Sequence, residues 1–531
     1  MAGAAPAAQP LAPAARVRPR AELLLLAALV LGAAALRLVR WERTVVMFND
    51  GPHFLAMARR MGAADWAGAL GHDYHPLYPF LTLLGHLLGL PWESAAAAVS
   101  VLCGALAVGL LYGLVREAFA WPAAPVAAFL LAIHPRAVDF SADIQSEGAY
   151  LAAFLGALWL VWRSLERRSW PLAAWAGAVA GLAYLVRPEG LGVFLAAGLV
   201  LCVYCLRGRW RLREALAWAG AASLGLLLVA GPYATALRVQ NGVWSLSQKK
   251  SVAVLAGVTA KTRLREAPAG SEAGMRLPAA RPRGDAVRSV PPPRPRSVAR
   301  AVLDLLDRAT SAARGEILLL LGLGLWSVRG RPGPRGVLFL ALVGVYAVLL
   351  LGLAYNVGYV SRRHVLPVIL AALGYAALGV PRLGSAVLRA LRRPVTARWA
   401  LSAGLVLPLV AAGIALVPPR RGGDLALRRA AEWLRTQHPR AVAAPRGRVA
   451  YYAGAPHVPV EPRLALLHAD VLRAAGASHL ILSRDDLSGE EWQELLARPG
   501  LRVLRRFDAK GEEAVVLEVT GRGRVDGRGG G

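Results

Sequence analysis

The chain has 531 residues, of which 56% are hydrophobic and 18% charged. That balance excludes an intrinsically disordered protein, and apolar blocks of membrane-spanning length exclude an ordinary soluble enzyme. The net charge of +29 raises the question of nucleic acid, but much of the arginine sits in short loops beside apolar runs, the pattern of a polytopic membrane protein, so no nucleic-acid partner is expected.

Residues 1–20 are Ala/Pro-rich, carry Arg16, Arg18 and Arg20, and read as a disordered cytoplasmic N-terminus. The first apolar run, Ala21 to Leu36, reads as an uncleaved span, with a cleaved signal peptide as the rival. Further spans are expected near 93–115, 122–135, 146–162, 171–186, 190–206, 214–236, 315–328, 336–355, 365–380 and 399–417, about eleven in all. The run 76–90 is short and framed by proline and glycine, which predicts a helix lying at the membrane surface. Cys103, Cys202 and Cys205 all fall inside apolar stretches, so no disulfide framework is indicated.

With the N-terminus in the cytoplasm, the arginine-rich loops near 116–121, 163–170, 206–213, 329–335 and 381–398 all fall on the cytoplasmic side. The short external connections carry little positive charge apart from Arg187 and the Arg362–Arg363 pair. Three hydrophilic regions then face outward: the loop 40–92, the basic segment 237–314 with its Pro/Arg-rich middle, and the tail. Long loops are largely exempt from the charge rule, so the basic 237–314 segment does not reverse the orientation. The expected organisation is a membrane catalytic module over 21–236, C-terminal spans over 315–417, and a small α/β domain over 420–520. A disordered Gly/Arg-rich end occupies 521–531. In the tail, "DLALRRAAEWLRTQ" has helical periodicity. "RVAYYAG", "SHLILS" and "EEAVVLEV" read as strands, and "GEEWQELLAR" as a helix capped by Ser488.

Asp50 lies about a dozen residues beyond the first span, before Gly51 and Pro52, and opens a short amphipathic helix whose buried side is Phe54, Leu55, Met57, Ala58 and Met61. A carboxylate at the mouth of a membrane groove is ionised and can take a proton from a hydroxyl. It can equally cap the helix that follows it. His53, His72, Asp73 and His75 are metal-ligand types without a recognisable metal-binding spacing. No cofactor is assigned, and a divalent metal is the open alternative. Trp66, Trp92, Trp121, Trp170 and Trp244 fit an interfacial belt.

The acidic turn "NDG" after the first span, the short helix behind it and "HPLYPFL", followed in order by "HPRAVDFSADIQSEGAYLAAFL", "GLAYLVRPEGL" and "YVSRRHVLPVILAALG", resemble the GT-C superfamily. These are integral-membrane glycosyltransferases that use polyprenyl-phosphate sugars. The nearest branch is the bacterial one of the dolichyl-phosphate-mannose–protein mannosyltransferase and aminoarabinose transferase families. The resemblance covers about 40–380 and implies a GT-C-like polytopic α-helical membrane protein with a small C-terminal α/β soluble domain. It implies Asp50 as general base of an inverting transfer. Many relatives carry a second acid directly after it where this chain has Gly51, so Asp73 is the candidate for any second carboxylate. Glu147, Arg187 and Arg363 match further family positions, and His75 and Tyr78 fall in the "HPLYP" stretch as substrate contacts. The implied partners are a polyprenyl-phosphate sugar donor, an acceptor protein, lipid or glycan, and membrane lipids. The implied location is the bacterial inner membrane, with the tail periplasmic.

The chemistry gives these residue types a reason. When a sugar leaves a lipid phosphate, negative charge grows on the phosphate, and fixed cations stabilise that change. Arg187, Arg362 and Arg363 sit at external span ends, where they either meet a lipid phosphate or anchor the spans to headgroups. Lys249 and Lys250 are two of only four lysines (with Lys261 and Lys510), which suggests either a need for compact ammonium groups or a chance doublet. Asp139, Asp143 and Glu147 are spaced four apart, so a continuous helix would put them on one face, lining a polar cavity or forming a solvated stripe. The alternative function, a transporter or lipid-linked-sugar flippase, calls for ionisable residues at mid-membrane, whereas charges here cluster at span ends.

Overall fold

A computed structural model describes residues 18–119, 121–249, 297–329, 333–463 and 469–520. The expected disorder at 1–17 and 521–531, the middle of the 237–314 segment and Lys250 lie outside the described residues. The chain opens with the long helix α1 (Pro19–Glu42), and the first loop folds into α2 (Gly51–Gly62), α3 (Trp66–Leu70) and α4 (Leu77–Leu87). The bundle continues with α5 (Trp92–Ala118), α6 (Ala123–Ile133), α7 (Pro135–Ser141), α8 (Glu147–Glu166), α9 (Trp170–Val186), α10 (Leu191–Leu206) and α11 (Leu212–Asn241). After the basic segment come α12 (Val298–Ala313), α13 (Gly315–Ser327), α14 (Pro334–Val357), α15 (Arg362–Ala371), α16 (Leu373–Ala390) and α17 (Ala397–Leu416).

Each of the eleven expected spans is helical, but they are not equal. Seven helices among the described residues are long and apolar enough to cross a membrane, or nine if two bent pairs each count once. The bends are 59° between α6 and α7 and 67° between α15 and α16. Helices α9 and α13 are apolar but shorter. Helix α4 buries Tyr78, Pro79, Thr82 and Leu83 on one side while Phe80, Leu84 and Leu87 stay exposed.

Small residues set the closest helix crossings, as expected where lipid supplies no hydrophobic drive between helices. Between α9 and α11, a Cβ added at Gly177 would lie 1.8 Å from the Ala222 carbonyl oxygen, and one at Gly225 would lie 1.9 Å from that of Ala174. Gly177→Leu is therefore expected to force the two helices apart and cost about 1–3 kcal/mol. The check is a lowered thermal melting temperature in detergent.

The tail begins with α18 (Leu425–Arg435) and builds a five-stranded sheet. Its elements are β1 (Val442–Ala444), α19 (Gly447–Tyr452), β2 (His457–Pro459), α20 (Ala469–Ala474), β3 (His479–Ser483), α21 (Gly489–Leu496), β4 (Leu501–Ala509) and β5 (Glu512–Val519). The strand order is β2-β1-β3-β5-β4, with β1 parallel to β2 and β3, and β5 antiparallel to β3 and β4. Alternation along β3 divides the core: Leu480 and Leu482 pack with Trp492 and Leu517 on one face, and Ile481 packs with Ala430 and Leu434 of α18 on the other. Ser488 caps α21 in a capping box with Glu491, as its position predicts.

One tail expectation is corrected. "RVAYYAG" is not a strand but the short helix α19, followed at Gly454 by a left-handed residue with φ 66°. Its helical turn buries Val449 and Ala450 beneath the sheet and puts Arg448 and Tyr452, four residues apart, on one face toward the membrane helices.

Candidate active site

The site forms where the ends of α1, α8, α9 and α15 meet the first loop. Pro52 starts α2 in its first turn. Asp50 stands at the N-cap position, yet its side chain makes no capping hydrogen bond. Instead its Oδ2 accepts from Nη1 of Arg363 at 2.6 Å. Of the two roles open to Asp50, the carboxylate leaves capping aside and faces its cationic partner. Gly51 has a packing reason, because a Cβ there would lie 2.8 Å from the sulfur of buried Met47.

Arg187 owes its position to the proline that follows it. A residue before proline is pushed out of the α region; Arg187 has φ −154° and ψ 138°, ending α9 and turning its side chain inward. Gly190 lets the chain fold back, since a Cβ there would lie 2.4 Å from the α9 backbone. Arg187 is 5% exposed and donates to Glu147 at 2.8 Å and to Glu189 at 3.4 Å. Arg363 also reaches Glu147 at 3.4 Å, and His364 Nε2 lies 3.6 Å from Glu189. Arg362 and Arg363 occupy the first turn of α15, the wrong end for cations by the helix dipole. The neighbouring carboxylates, not helix stability, account for Arg363.

Lys249 places its ammonium over the Tyr74 ring at 5.3 Å. Three carboxylates (Asp50, Glu147, Glu189) thus face three cations (Arg187, Arg363, Lys249). Burial alone would raise the Asp50 carboxyl, but the Arg363 guanidinium, helped by Tyr74 and Arg187, holds it below the usual aspartate range. Burial lowers the Lys249 ammonium from its usual value, partly opposed by Glu189. One oxygen of Glu189, Oε2, has no hydrogen-bond partner. Tyr74, Glu189 and Phe48, whose ring lies 5.3 Å from the Arg363 guanidinium, escaped the sequence reading. Glu189 follows Arg187 by two residues, and that local spacing was the available signal.

Several expected site residues lie elsewhere. His75 is 2% exposed; its Nδ1 is bonded to the Tyr184 carbonyl at 2.6 Å and its Nε2 to Ser247 at 3.0 Å. Burial pushes its imidazole down to about 3, so it stays neutral and supports the 245–249 segment from below. The Tyr78 hydroxyl is fully buried between the Ala96 carbonyl and Ser100, both at 2.9 Å. Asp73 is exposed, and Arg362 stands outside the ion-pair network. The expected acidic face over 139–147 is absent because the helix breaks after Ser141 and restarts at Glu147. Each acid therefore meets its own arginines. Asp139 pairs with Arg40 at 2.8 Å, while Asp143, fully buried, takes Arg420 at 3.1 Å and Arg421 at 2.7 Å. Among the described residues no cluster of three or more His, Cys, Asp or Glu is placed to hold a metal.

Residues 73–233 match the family model described as dolichyl-phosphate-mannose-protein mannosyltransferase. No match was found among curated protein sequences. The structure is similar to ArnT from Cupriavidus metallidurans bound to undecaprenyl phosphate, with TM-score 0.57 and 16% identity over 94% of this chain and 98% of that one. It is also similar to the oligosaccharyltransferase AglB from Archaeoglobus fulgidus in complex with an inhibitory peptide and a dolichol-phosphate. That likeness has TM-score 0.52 and 14% identity over 95% of this chain and 74% of that one. The chain has the GT-C fold, and with it the architecture of a multi-pass membrane protein.

Proposed function

We propose that this protein transfers a sugar, with inversion, from a polyprenyl-phosphate donor to a protein, lipid or glycan acceptor on the periplasmic face of a bacterial inner membrane. The observation that carries this reading is the Asp50 carboxylate, making no capping bond to its helix and paired at 2.6 Å with an arginine of a partly buried cationic cluster. The undecaprenyl phosphate and dolichol-phosphate bound by proteins of this fold support a donor of that class.

In this mechanism an acceptor hydroxyl attacks the anomeric carbon, its proton passes to Asp50, and the bond from that carbon to the phosphate oxygen breaks. The lipid phosphate leaves with one more negative charge, which Arg363, Arg187 and Lys249 stabilise as it develops. Glu189 Oε2, lacking a partner, accepts a sugar hydroxyl. A carboxylate held as low as Asp50 is a weak base. Donor phosphate corrects this by competing for Arg363, loosening its hold and letting the Asp50 pKa rise toward the ordinary range.

A pH prediction follows with a definite sign. Asp50 must be ionised to act, so activity falls as pH drops through its pKa. In kcat/KM, which reports the free enzyme, the acid limb should lie below the ordinary aspartate value of about 4. In kcat, which reports the donor complex, it should lie higher. Matched pH profiles of the two parameters check this, and coincident limbs would contradict the partner exchange.

The reading itself is tested by supplying the purified protein in proteoliposomes with a panel of labelled polyprenyl-phosphate sugars. Labelled sugar on an acceptor together with free polyprenyl monophosphate supports it. Labelled lipid crossing the bilayer intact, with no phosphate release, would replace transfer by flipping.

A further inference from the structure

The loop that carries Asp50 has no secondary structure of its own over Val45–Asn49, yet its backbone is bonded almost residue by residue. Nearly all the partners come from one part of the chain. Thr44 forms a parallel bridge with Arg420, and the Val45 N–H donates to the Arg420 carbonyl at 3.1 Å. The Val45 carbonyl accepts from Arg428, and the Val46 carbonyl from Arg421 at 2.6 Å. Helix α19 takes both ends of Met47: its N–H donates to the Tyr452 hydroxyl at 2.9 Å, and its carbonyl accepts from Arg448 at 3.3 Å. Only Phe48 turns to the membrane side, its N–H donating to Asp143 at 3.2 Å.

We propose that the C-terminal domain is the positioning element of the Asp50 loop, with Arg421 as its central positioning residue. Arg421 makes three contacts at once: Nη1 to the Val46 carbonyl, Nη2 to buried Asp143, and its guanidinium over the Phe48 ring at 5.2 Å. The other cation at that ring, 5.3 Å away, is Arg363, which holds Asp50. A continuous path of contacts therefore runs from the domain through Arg421, Phe48 and Arg363 to Asp50. Arg421 also has φ 52°, a left-handed backbone that L-residues rarely adopt, although Gly422 and Gly423 stand next to it.

The inference rests on Asp50 being the base, and its test is built to fail separately from that reading. Arg421→Ala is compared with Arg421→Lys and with Tyr451→Phe in the full-length protein. Tyr451→Phe removes a different domain contact, the hydrogen bond to Glu93 at the start of α5, and leaves the loop untouched. Misplacing a catalytic group by about 1 Å can cost about 10²-fold. Arg421→Ala should therefore lower kcat by roughly ten- to a hundredfold, with donor KM changed less than about twofold. Arg421→Lys should recover part of the loss, and Tyr451→Phe should keep wild-type kcat. Hydrogen exchange at the amides of Val45, Met47 and Phe48 should quicken in Arg421→Ala alone. Unchanged exchange and kcat in Arg421→Ala, or an equal loss in Tyr451→Phe, would reduce the contacts to simple attachment. If the wild-type protein transfers no sugar, the glycosyltransferase reading fails, while the exchange comparison still decides whether the domain holds the loop.

Discussion

Asp50→Asn is expected to lower sugar transfer by about 10²–10⁴-fold, the usual contribution of a positioned general base. The substitution keeps the side chain's size and a carbonyl oxygen able to accept from Arg363, so the loop has no steric reason to move. What it removes is the proton acceptor. Since the Asp50 carboxylate is not engaged in capping and Arg363 keeps Glu147 as a partner, the loss should appear chiefly in kcat, with the melting temperature lowered only slightly by the lost charge pair. A variant that melts several degrees lower would instead return Asp50 to a structural role. Donor binding should survive, or tighten, because neutralising Asp50 leaves Arg363 free to meet the phosphate.

Arg363→Ala should be nearly as damaging, by about 10²–10³-fold in kcat, the range for losing a preorganised electrostatic contact in a shielded site. Its guanidinium is the node of the cluster, touching Asp50, Glu147 and the Phe48 ring together. Removal takes away leaving-group stabilisation and also leaves Asp50 without its nearest cation, so the acid limb of residual activity should move upward. Arg363→Lys should restore less than a conservative exchange suggests, because a point-like ammonium cannot meet the carboxylates and also lay a planar cation over the Phe48 ring. Kinetics of both variants at several pH values provide the check. A rise in donor KM with unchanged kcat would make Arg363 a binding group only.

Much of this was legible in sequence because it is local. The apolar blocks marked the helices, Pro52 and Gly51 marked the start of α2, and the buried side of that helix followed from its periodicity. Arg187, Glu147 and Arg363 could be named because each matches a motif of the family that the sequence resembles. What escaped is what folding brings together across long separations. Nothing in the 139–147 stretch shows that Asp143 will meet Arg420 and Arg421, nearly three hundred residues away, instead of continuing an acidic face. "RVAYYAG" has strand-like composition, and only its packing under the sheet and against Met47 makes it helical. His75 and Tyr78 sit in a stretch that points at chemistry, while burial and saturated hydrogen bonds assign them to holding neighbouring segments.

The most direct test of the account is a single-turnover reaction in proteoliposomes, with labelled polyprenyl-phosphate sugar bound before acceptor is added, comparing the wild-type protein with Asp50→Asn. Binding is then complete at the start, so the readout is bond exchange alone. The account predicts rapid appearance of inverted product and lipid monophosphate in the wild type. In the variant it predicts bound but unreacted donor. Turnover of the bound donor by Asp50→Asn at the wild-type rate would contradict the assignment of the base and, with it, the mechanism.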